Sequence, residues 1–192
     1  MSGSKTKEIL VDVARKLFAE FGKNNITMHD IATVSKKGRR TLYTYFKSKN
    51  DIYFAVIENE LTILLKKLQT VANKNIPPDE KLSEYIFVRQ NAIKESVKRN
   101  GSLRSDFFKD IYEVQRARRR IDIIEQEIIK NILDSGVEQG VFDIEDTKMG
   151  SMLILYSLKG IETPYTRERI SEYMDERRPQ IIKALFEGIR KK

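Results

Sequence analysis

The sequence of 192 residues contains no cysteine, one histidine, four prolines and nine glycines. Without cysteine the chain has no disulfide, no thiolate nucleophile and no cysteine-based zinc site, which is compatible with a reducing cytosol. The single histidine, His29, is too isolated to build a metal site or a catalytic triad. Because turn-forming residues are sparse, we predict an all-α protein whose helices are joined by short loops.

Long hydrophobic runs are also missing. The longest one, around Met149–Leu158, is shorter than the ~20 residues that a helix needs to cross a bilayer. The N-terminus is polar and charged and shows no secretion signal. We therefore expect a cytoplasmic protein that does not enter a membrane.

Sequence signals of catalysis are absent as well. The chain holds no glycine-rich phosphate loop, no G-x-S-x-G nucleophile motif and no histidine–glutamate cluster at metal-binding spacing. Acidic residues are numerous, but no pair of them stands out from ordinary solvent-facing charge. We expect no enzyme activity, no cofactor and no metal site.

The positive charge of the chain is concentrated in its first quarter. The whole sequence has 36 Lys and Arg against 28 Asp and Glu, a net charge of +8. Residues 1–50 hold 11 basic and 4 acidic residues, or +7, whereas residues 51–192 hold 25 and 24, or +1. A polyanionic partner explains this distribution, and a solvated basic face that aids solubility is the alternative. We favour the polyanion because the charge coincides with a motif.

That motif runs from Thr27 to Lys49 and reads as two short helices joined by a tight turn. Thr27 and Asp30 have the spacing of a capping box, which begins the first helix. Its inward residues are Ile31 together with Val34 or Ala32. Gly38 then interrupts the pattern and serves as the N-cap of a second helix, predicted over residues 39–47.

The second helix has two chemically different faces. Leu42 and Phe46, four residues apart, point inward with Tyr45 close beside them. The opposite face carries the polar residues Arg39, Arg40, Tyr43, Thr44 and Lys47. An arginine can bond to guanine O6 and N7 in the major groove, while hydroxyl groups and lysine can hold phosphates. The arrangement predicts a DNA-binding helix-turn-helix.

The segment Thr41–Lys49, T-L-Y-T-Y-F-K-S-K, resembles the signature of TetR-type transcriptional repressors, roughly T-L-Y-x-Y-F-x-S-K. The triplet Asp-Ile-Ala that begins at Asp30 and the later run Asp51–Ile57 also fit, and the resemblance is specific over Ile9–Ile57. There is one departure. The family usually has Ala-Gly-Val-Ser in the turn, and this chain has Ser-Lys-Lys-Gly over residues 35–38, so the usual glycine has moved two places.

The resemblance implies DNA contacts at matching positions of this sequence. Thr41 and Tyr43 would contact DNA, Lys49 would hold a phosphate, and Arg39 occupies a base-contacting position. For His29 a phosphate contact and simple surface exposure are equally supported. The predicted DNA-binding residues are Thr27, Met28, His29, Arg39, Arg40, Thr41, Tyr43, Tyr45, Lys47 and Lys49.

Beyond the motif, apolar residues recur at three and four, which predicts further helices. A first helix over residues 5–21, stopped by Gly22, completes a three-helix unit. The later helices are predicted over residues 48–73, 79–99 and 105–112. A longer helix then continues to about residue 138, another covers residues 147–161, and a last one follows Pro179. We place the domain boundary after Lys49, which gives a DNA-binding domain of residues 1–49 and a helical effector-binding and dimerisation domain of residues 50–192.

The helix over residues 147–161 is apolar nearly all round, so it should be buried on more than one face. A chain of this length has few helices to surround it, and a partner subunit is the economical source of cover. The resemblance implies that the last two helices pair with their symmetry mates in a homodimer. The predicted interface residues are Met149, Leu153, Ile154, Leu158, Ile161, Ile181, Leu185, Phe186 and Ile189.

An effector site is implied by the resemblance alone. The candidate pocket residues are Phe87, Phe108, Tyr112, Arg116, Met152 and Tyr156. Aromatic side chains at helical spacing are more often simply core, and the basic run around Arg116 is more often a solvated face. Ligand sites are mostly apolar with a few polar groups, which this set would provide.

These observations favour a ligand-responsive repressor that binds a near-palindromic operator as a homodimer and is released by a small-molecule effector. One alternative is a constitutive DNA-binding dimer without an effector. Another is a helical module whose partner is a protein, for which replacing Arg39 and Tyr43 by alanine would leave function intact.

Overall fold

The computed structural model describes residues 2–100, 111–167, 172–173, 176–177, 180–181 and 183. Within these residues it contains seven α-helices, one short 3-10 turn and no β-strand, which confirms the predicted all-α class. The helices are α1 Ser2–Phe21, α2 Met28–Val34, α3 Arg39–Tyr45, α4 Lys49–Ala72, α5 Pro78–Arg99, α6 Ile111–Glu138 and α7 Thr147–Arg167.

The boundaries follow the sequence signals closely, with two corrections. Helix α3 ends at Tyr45, two residues earlier than predicted, because Phe46 adopts the extended conformation (φ −138°, ψ 117°); Lys47 therefore lies outside the helix. Helix α7 continues six residues beyond the predicted end at 161. The predicted residues Phe108, Leu185, Phe186 and Ile189 lie outside the described part of the chain, as do the side chains of Tyr112 and Arg116.

Polar side chains cap the N-termini of two of the helices. The Asp30 amide donates to Thr27 Oγ1 (3.2 Å) and the Thr27 amide donates to Asp30 Oδ2 (2.8 Å), which completes the predicted capping box of α2. Ser48 and Asp51 repeat the arrangement at α4, with distances of 3.1 and 3.0 Å. Gly22, at φ 81°, ends α1 as predicted.

The described chain forms two compact units. One comprises the chain up to Thr62 together with residues Ser96–Arg118, and the other comprises Ile63–Glu95 and the chain from Arg119 onward. Helix α1 packs against the motif in the first unit, as predicted. The buried core of this unit consists of Leu10, Val11, Ala14, Phe18, Ile26, Ile31, Ala32, Leu42, Phe46, Ile52, Tyr53, Val56 and Ile57. The functional boundary after Lys49 stays a prediction.

A polar network ties three helices together inside the first unit. Glu60 of α4 is buried, and its carboxylate accepts from Ser96 Oγ (2.8 Å) and from Arg99 Nη2 (2.7 Å). Arg15 of α1 in turn donates to the Arg99 carbonyl (3.4 Å). The end of α5 is therefore held to α1 and α4 by charge-assisted hydrogen bonds.

The second unit buries charge as well as apolar groups. The Arg89 guanidinium donates to Glu125 Oε2 (2.5 Å) and to Glu162 Oε1 (2.6 Å), and all three side chains are at most 7% exposed. Tyr85 donates to the same Glu125 oxygen (3.2 Å). Burial alone would lower the pKa of Arg89, but the adjacent carboxylates raise it above its ordinary value. Burial also raises the pKa of the Tyr85 phenol.

The apolar core of the second unit includes a close approach at a glycine. Phe142 is buried, and its amide donates to the Gly136 carbonyl at the end of α6 (3.1 Å). A Cβ at Gly136 would lie 2.1 Å from the Phe142 ring, so this position accepts only glycine in the present packing. Among the described helices, none is both long and apolar enough to cross a bilayer.

Candidate nucleic-acid interface

The turn between α2 and α3 is closed by two backbone hydrogen bonds. The Lys37 amide donates to the Ala32 carbonyl and the Lys36 amide to the Thr33 carbonyl, both at 3.1 Å. This 6→1 and 5→2 pattern is the Schellman motif, whose penultimate residue is usually glycine. Here that residue is Lys36, at φ 53°. The left-handed conformation costs about 1–2 kcal/mol for a residue with a Cβ.

The displaced glycine, Gly38, occupies a position that does not require it. Its backbone is extended (φ −61°, ψ 146°), and it caps α3 without a side-chain hydrogen bond. A Cβ there would meet only Thr41 Oγ1, at 3.9 Å. The turn therefore keeps its geometry although the glycine has moved, since Lys36 adopts the conformation that glycine would provide more easily.

Helix α3 presents the two faces that the sequence predicts. Leu42 and Phe46 are buried in the first core, and Tyr45 packs half-buried against it. On α2 the alternative is resolved in favour of Ala32, because Val34 is 55% exposed. The exposed face around α3 consists of Arg39, Arg40, Tyr43, Thr44 and Lys47.

The predicted DNA-binding residues divide into two groups in the structure. Exposed side chains are those of Thr27, His29, Arg39, Arg40, Tyr43 and Lys47. Half-buried side chains are those of Met28, Thr41, Tyr45 and Lys49. Met28 and Tyr45 pack against the apolar core, so these two contribute at least part of their surface to the fold.

Lys49 differs most from the expectation of a free phosphate contact. Its ammonium donates to the carbonyls of Lys23 (2.8 Å) and Asn24 (3.4 Å), which fixes the 3-10 turn after α1 to the start of α4. An ammonium has three donors, so one donor remains for a phosphate. Lys23 itself lies over the Tyr53 ring, with its Nζ 3.8 Å from the ring centroid.

The surface around α3 carries positive charge. Between residues 31 and 50 the sequence has six Lys or Arg and no Asp or Glu. The flanking carboxylates of Asp30 and Asp51 accept hydrogen bonds from helix-capping groups. The hydrogen bonds from the Thr27 hydroxyl and amide lower the pKa of Asp30 below its usual 3.8. Two cations, Lys36 and Lys37, were not among the predicted contacts; the run without carboxylates is the sequence signal that identifies them.

An α-helix is 10–12 Å across with its side chains, and the major groove of B-DNA is about 12 Å wide. Helix α3 can therefore enter the groove with Arg39 and Arg40 directed at base edges and the Tyr43 hydroxyl within reach of the backbone. Lys47, beyond the end of the helix, and His29, at the start of α2, can contact the backbone on either side.

The second unit contains a cleft of about 260 Å³. It lies between the end of α4, the start of α5 and the second half of α6, and its polar side chains include Gln69, Asn73, Lys81, Asn131 and Ser135. The predicted pocket residues Phe87, Met152 and Tyr156 do not line this cleft. Met152 and Tyr156 are exposed on α7, and Phe87 is half-buried.

Helix α7 has an apolar stripe on its exposed face. Met149, Met152, Leu153 and Tyr156 recur at i, i+3, i+4 and i+7, which places them on one side of the helix. They are between 40% and 64% exposed. Of the other residues predicted at the interface, Leu158 is buried in the core of the same unit, and Ile154 and Ile161 are half-buried and pack against that core. Ile181 is half-buried.

Among the described residues, no three His, Asp or Glu side chains come together in a way that could hold a metal ion. The chemistry that the described surface offers is thus cationic and hydroxyl-rich at the first unit, and apolar at α7.

Comparison with known proteins finds a family model that matches the N-terminal part of the chain. Residues 10–56 match the model of the bacterial regulatory proteins of the tetR family. The uncharacterized HTH-type transcriptional regulator YhgD of Bacillus subtilis is 25% identical over 154 residues, which cover 78% of each chain.

Solved structures share the fold over nearly the whole chain. A transcriptional regulator from Cytophaga hutchinsonii has a TM-score of 0.79 at 23% identity, covering 96% of this chain and 98% of that one. A protein from Saccharomonospora viridis, solved in complex with choline, has a TM-score of 0.74 at 17% identity, covering 98% and 100%. The helix-turn-helix segment, over residues 10–56, is therefore similar to the bacterial regulatory proteins of the tetR family, and the solved structures share the fold of the chain.

Proposed function

We propose that the protein is a repressor that binds a near-palindromic operator as a homodimer and is released by a small-molecule effector. The observation that carries DNA recognition is the exposed face of α3. Arg39, Arg40 and Tyr43 project from it, and no carboxylate occurs in the surrounding residues 31–50. In this proposal residues 1–49 read DNA and residues 50–192 bind the effector and the second subunit.

Each subunit would insert its α3 into one major groove. The two helices of a dimer would then lie about one helical turn apart, ~34–36 Å, or a multiple of it. Arg39 would bond bidentately to guanine, and its loss would weaken specific binding by about 1–3 kcal/mol. Tyr43 and Lys47 would contribute mainly to phosphate contacts, which fix the register on the duplex.

Selection of genomic fragments at moderate salt tests this reading. The wild-type protein should retain a small set of fragments that share a near-palindromic sequence. The variant Arg39→Ala/Tyr43→Ala should lose that selectivity while keeping its fold, since both side chains are exposed. If neither protein enriches any sequence, or if both enrich the same set, the repressor proposal is wrong.

The homodimer is supported by the exposed apolar stripe on α7. Leu153 and Met149 are the most exposed of its members, at 64% and 59%, and contiguous exposed apolar surface commonly marks a protein interface. Leu153→Glu should shift the protein from dimer to monomer in sedimentation equilibrium and abolish tight operator binding. Ile123→Glu is the matched control, because Ile123 is also exposed (69%) but lies on α6, outside the stripe.

The effector is supported by the cleft in the second unit and by the choline bound in the Saccharomonospora viridis protein. A ligand that prefers one of two conformations shifts the protein toward it, and operator affinity changes accordingly. Thermal unfolding measured across a metabolite library should find compounds that raise the midpoint, because a ligand of the native state stabilises by mass action. A genuine effector must also lower operator affinity; stabilisation without that change would favour a constitutive DNA-binding dimer.

A further inference from the structure

The turn of the helix-turn-helix holds a lysine in a backbone conformation that favours glycine. Lys36 is at φ 53°, at the position of the Schellman motif where glycine or asparagine is usual. Lys36 is the single non-glycine residue with positive φ among the described residues. Strained backbone conformations of this kind cluster at functional sites, so the position of Lys36 prompts a search for a role of its side chain.

Among the residues that the structure describes, the Lys36 ammonium has no polar partner. The side chain is exposed, and its neighbour Lys37 is half-buried. Neither ammonium has an ion pair or hydrogen bond within the described part of the protein. The nearest carboxylates along the chain are those of Asp30 and Asp51, and both are engaged in helix caps.

We propose that Lys36 binds a phosphate of the DNA backbone beside the groove that α3 enters, and that Lys37 strengthens the same contact. The inference rests on the proposed DNA binding and extends it to two residues of the turn. A lysine ammonium acts on phosphate as a point charge, so the contact adds affinity without base preference. It also releases condensed counterions, which makes its contribution depend on salt.

The proposal predicts that one variant, Lys36→Gly, gains folding stability and loses affinity for DNA. Lys36→Gly removes the strain, so the urea midpoint of unfolding should rise. The same change removes a phosphate contact, so the affinity for duplex DNA should fall roughly 8-fold per lost contact near ~0.1 M salt. A merely structural lysine would change folding and leave binding alone.

The measurement uses the 192-residue chain and a duplex of mixed sequence, about 30 base pairs long, since a phosphate contact is independent of sequence. Fluorescence anisotropy over a salt series gives the slope of log K against log salt, which should become less negative by about 0.9 per bound subunit. Urea unfolding is measured in parallel on the same samples.

Three variants separate charge from backbone. Lys36→Asn, which tolerates the left-handed conformation but is neutral, should lose the same part of the slope. Lys36→Arg keeps the charge and should retain the wild-type slope. Lys66→Gln removes an exposed lysine of α4, outside the helix-turn-helix, and should leave the slope unchanged.

Two results would overturn the proposal while leaving the DNA-binding function standing. One is a wild-type salt slope in Lys36→Gly and Lys36→Asn. The other is a lower urea midpoint in Lys36→Gly, which would mean that the lysine side chain supports the turn. If the wild-type protein itself showed no salt-dependent binding to the duplex, the proposed function would fail first and this inference with it.

Discussion

The helix-turn-helix of the first unit and the core of the second unit place charged side chains in opposite environments. In the first unit, Arg39, Arg40 and Lys47 are exposed, and the surrounding stretch of sequence offers them no carboxylate. In the second unit, Arg89 is buried between Glu125 and Glu162. An exposed cation remains hydrated and available to a ligand, whereas a buried charge persists only if it is paired. The arginines of α3 are thus available to a ligand, whereas Arg89 is part of the core of the second unit.

The largest expected effect is at the buried ion cluster. Glu125→Leu leaves Arg89 buried with only one carboxylate and should lower the free energy of unfolding by about 3–5 kcal/mol, as is typical when one partner of a buried pair is removed. Urea unfolding measures it. Lys67→Met is the control, because the Lys67–Glu95 pair (2.6 Å) is 41% and 56% exposed and should contribute at most ~1 kcal/mol. Similar losses of unfolding free energy in both variants would mean that the cluster of Arg89, Glu125 and Glu162 is hydrated.

Gly136 in the second unit, and Gly38 in the first, extend the comparison to backbone positions. In the second unit, Gly136→Ala forces a Cβ to within 2.1 Å of the Phe142 ring, and overpacking of this kind costs about 1–3 kcal/mol. Thermal unfolding of Gly136→Ala, Phe142→Ala and the double variant gives a cycle. The double variant should lose less stability than the two single losses added together, and strict additivity would contradict the packing argument.

The next largest effect is expected in the first unit, from removal of the capping box of α2. Thr27→Ala removes the hydroxyl that accepts from the Asp30 amide, and such a cap contributes ~1 kcal/mol. The same variant should bring the pKa of Asp30 back toward 3.8, since the hydrogen bonds to Thr27 lower it in the native protein. Carboxyl chemical shifts, followed in an NMR titration of the wild type and of Thr27→Ala, give the pKa of Asp30 in each protein.

The sign of the pH dependence follows from that shift. A carboxyl whose pKa is lower in the folded than in the unfolded state stabilises the fold above its unfolded value near 3.8, and this stabilisation disappears as the pH falls through the folded pKa. The stability difference between wild type and Thr27→Ala should therefore shrink in acid. A difference that grew as the pH fell would contradict the capping box.

The smallest effect is expected at Gly38, which contrasts with Gly136. Because its backbone is extended and its Cβ position is open, Gly38→Ser should be accommodated. The serine hydroxyl would cap α3 and stabilise the protein by a few tenths of a kcal/mol. A clear destabilisation in urea unfolding would mean that the turn requires glycine at this position after all.

Much of the first unit was predictable because its signals are local. The capping pair Thr27 and Asp30, the inward residues Leu42 and Phe46 and the outward cations depend on spacings of three and four residues, which helical geometry converts directly into shared faces. The strained turn was not predictable from composition, since Lys36 has no local preference for a left-handed conformation. Only the two hydrogen bonds that close the turn reveal it.

The second unit was predicted less completely. Its helices followed from periodicity, but α7 is apolar on several sides, and periodicity alone does not say which side meets its own core. Leu158 turned out to pack inward, while Met152 and Tyr156, assigned to a pocket, are exposed beside Met149. The contact between Arg89 and Glu162 joins residues 73 positions apart, and no short-range pattern anticipates such a pair.

The order of residues therefore decided what depends on neighbours along the chain. It decided where the helices begin and end, which short helix carries the cations, and the resemblance of residues 10–56 to the tetR family. Three-dimensional packing decided what depends on distant partners, namely which apolar faces are covered, which charges are buried and which glycine is indispensable. The physical reason is that a helix forms through bonds between residues four apart, whereas burial is a property of surfaces brought together from across the sequence.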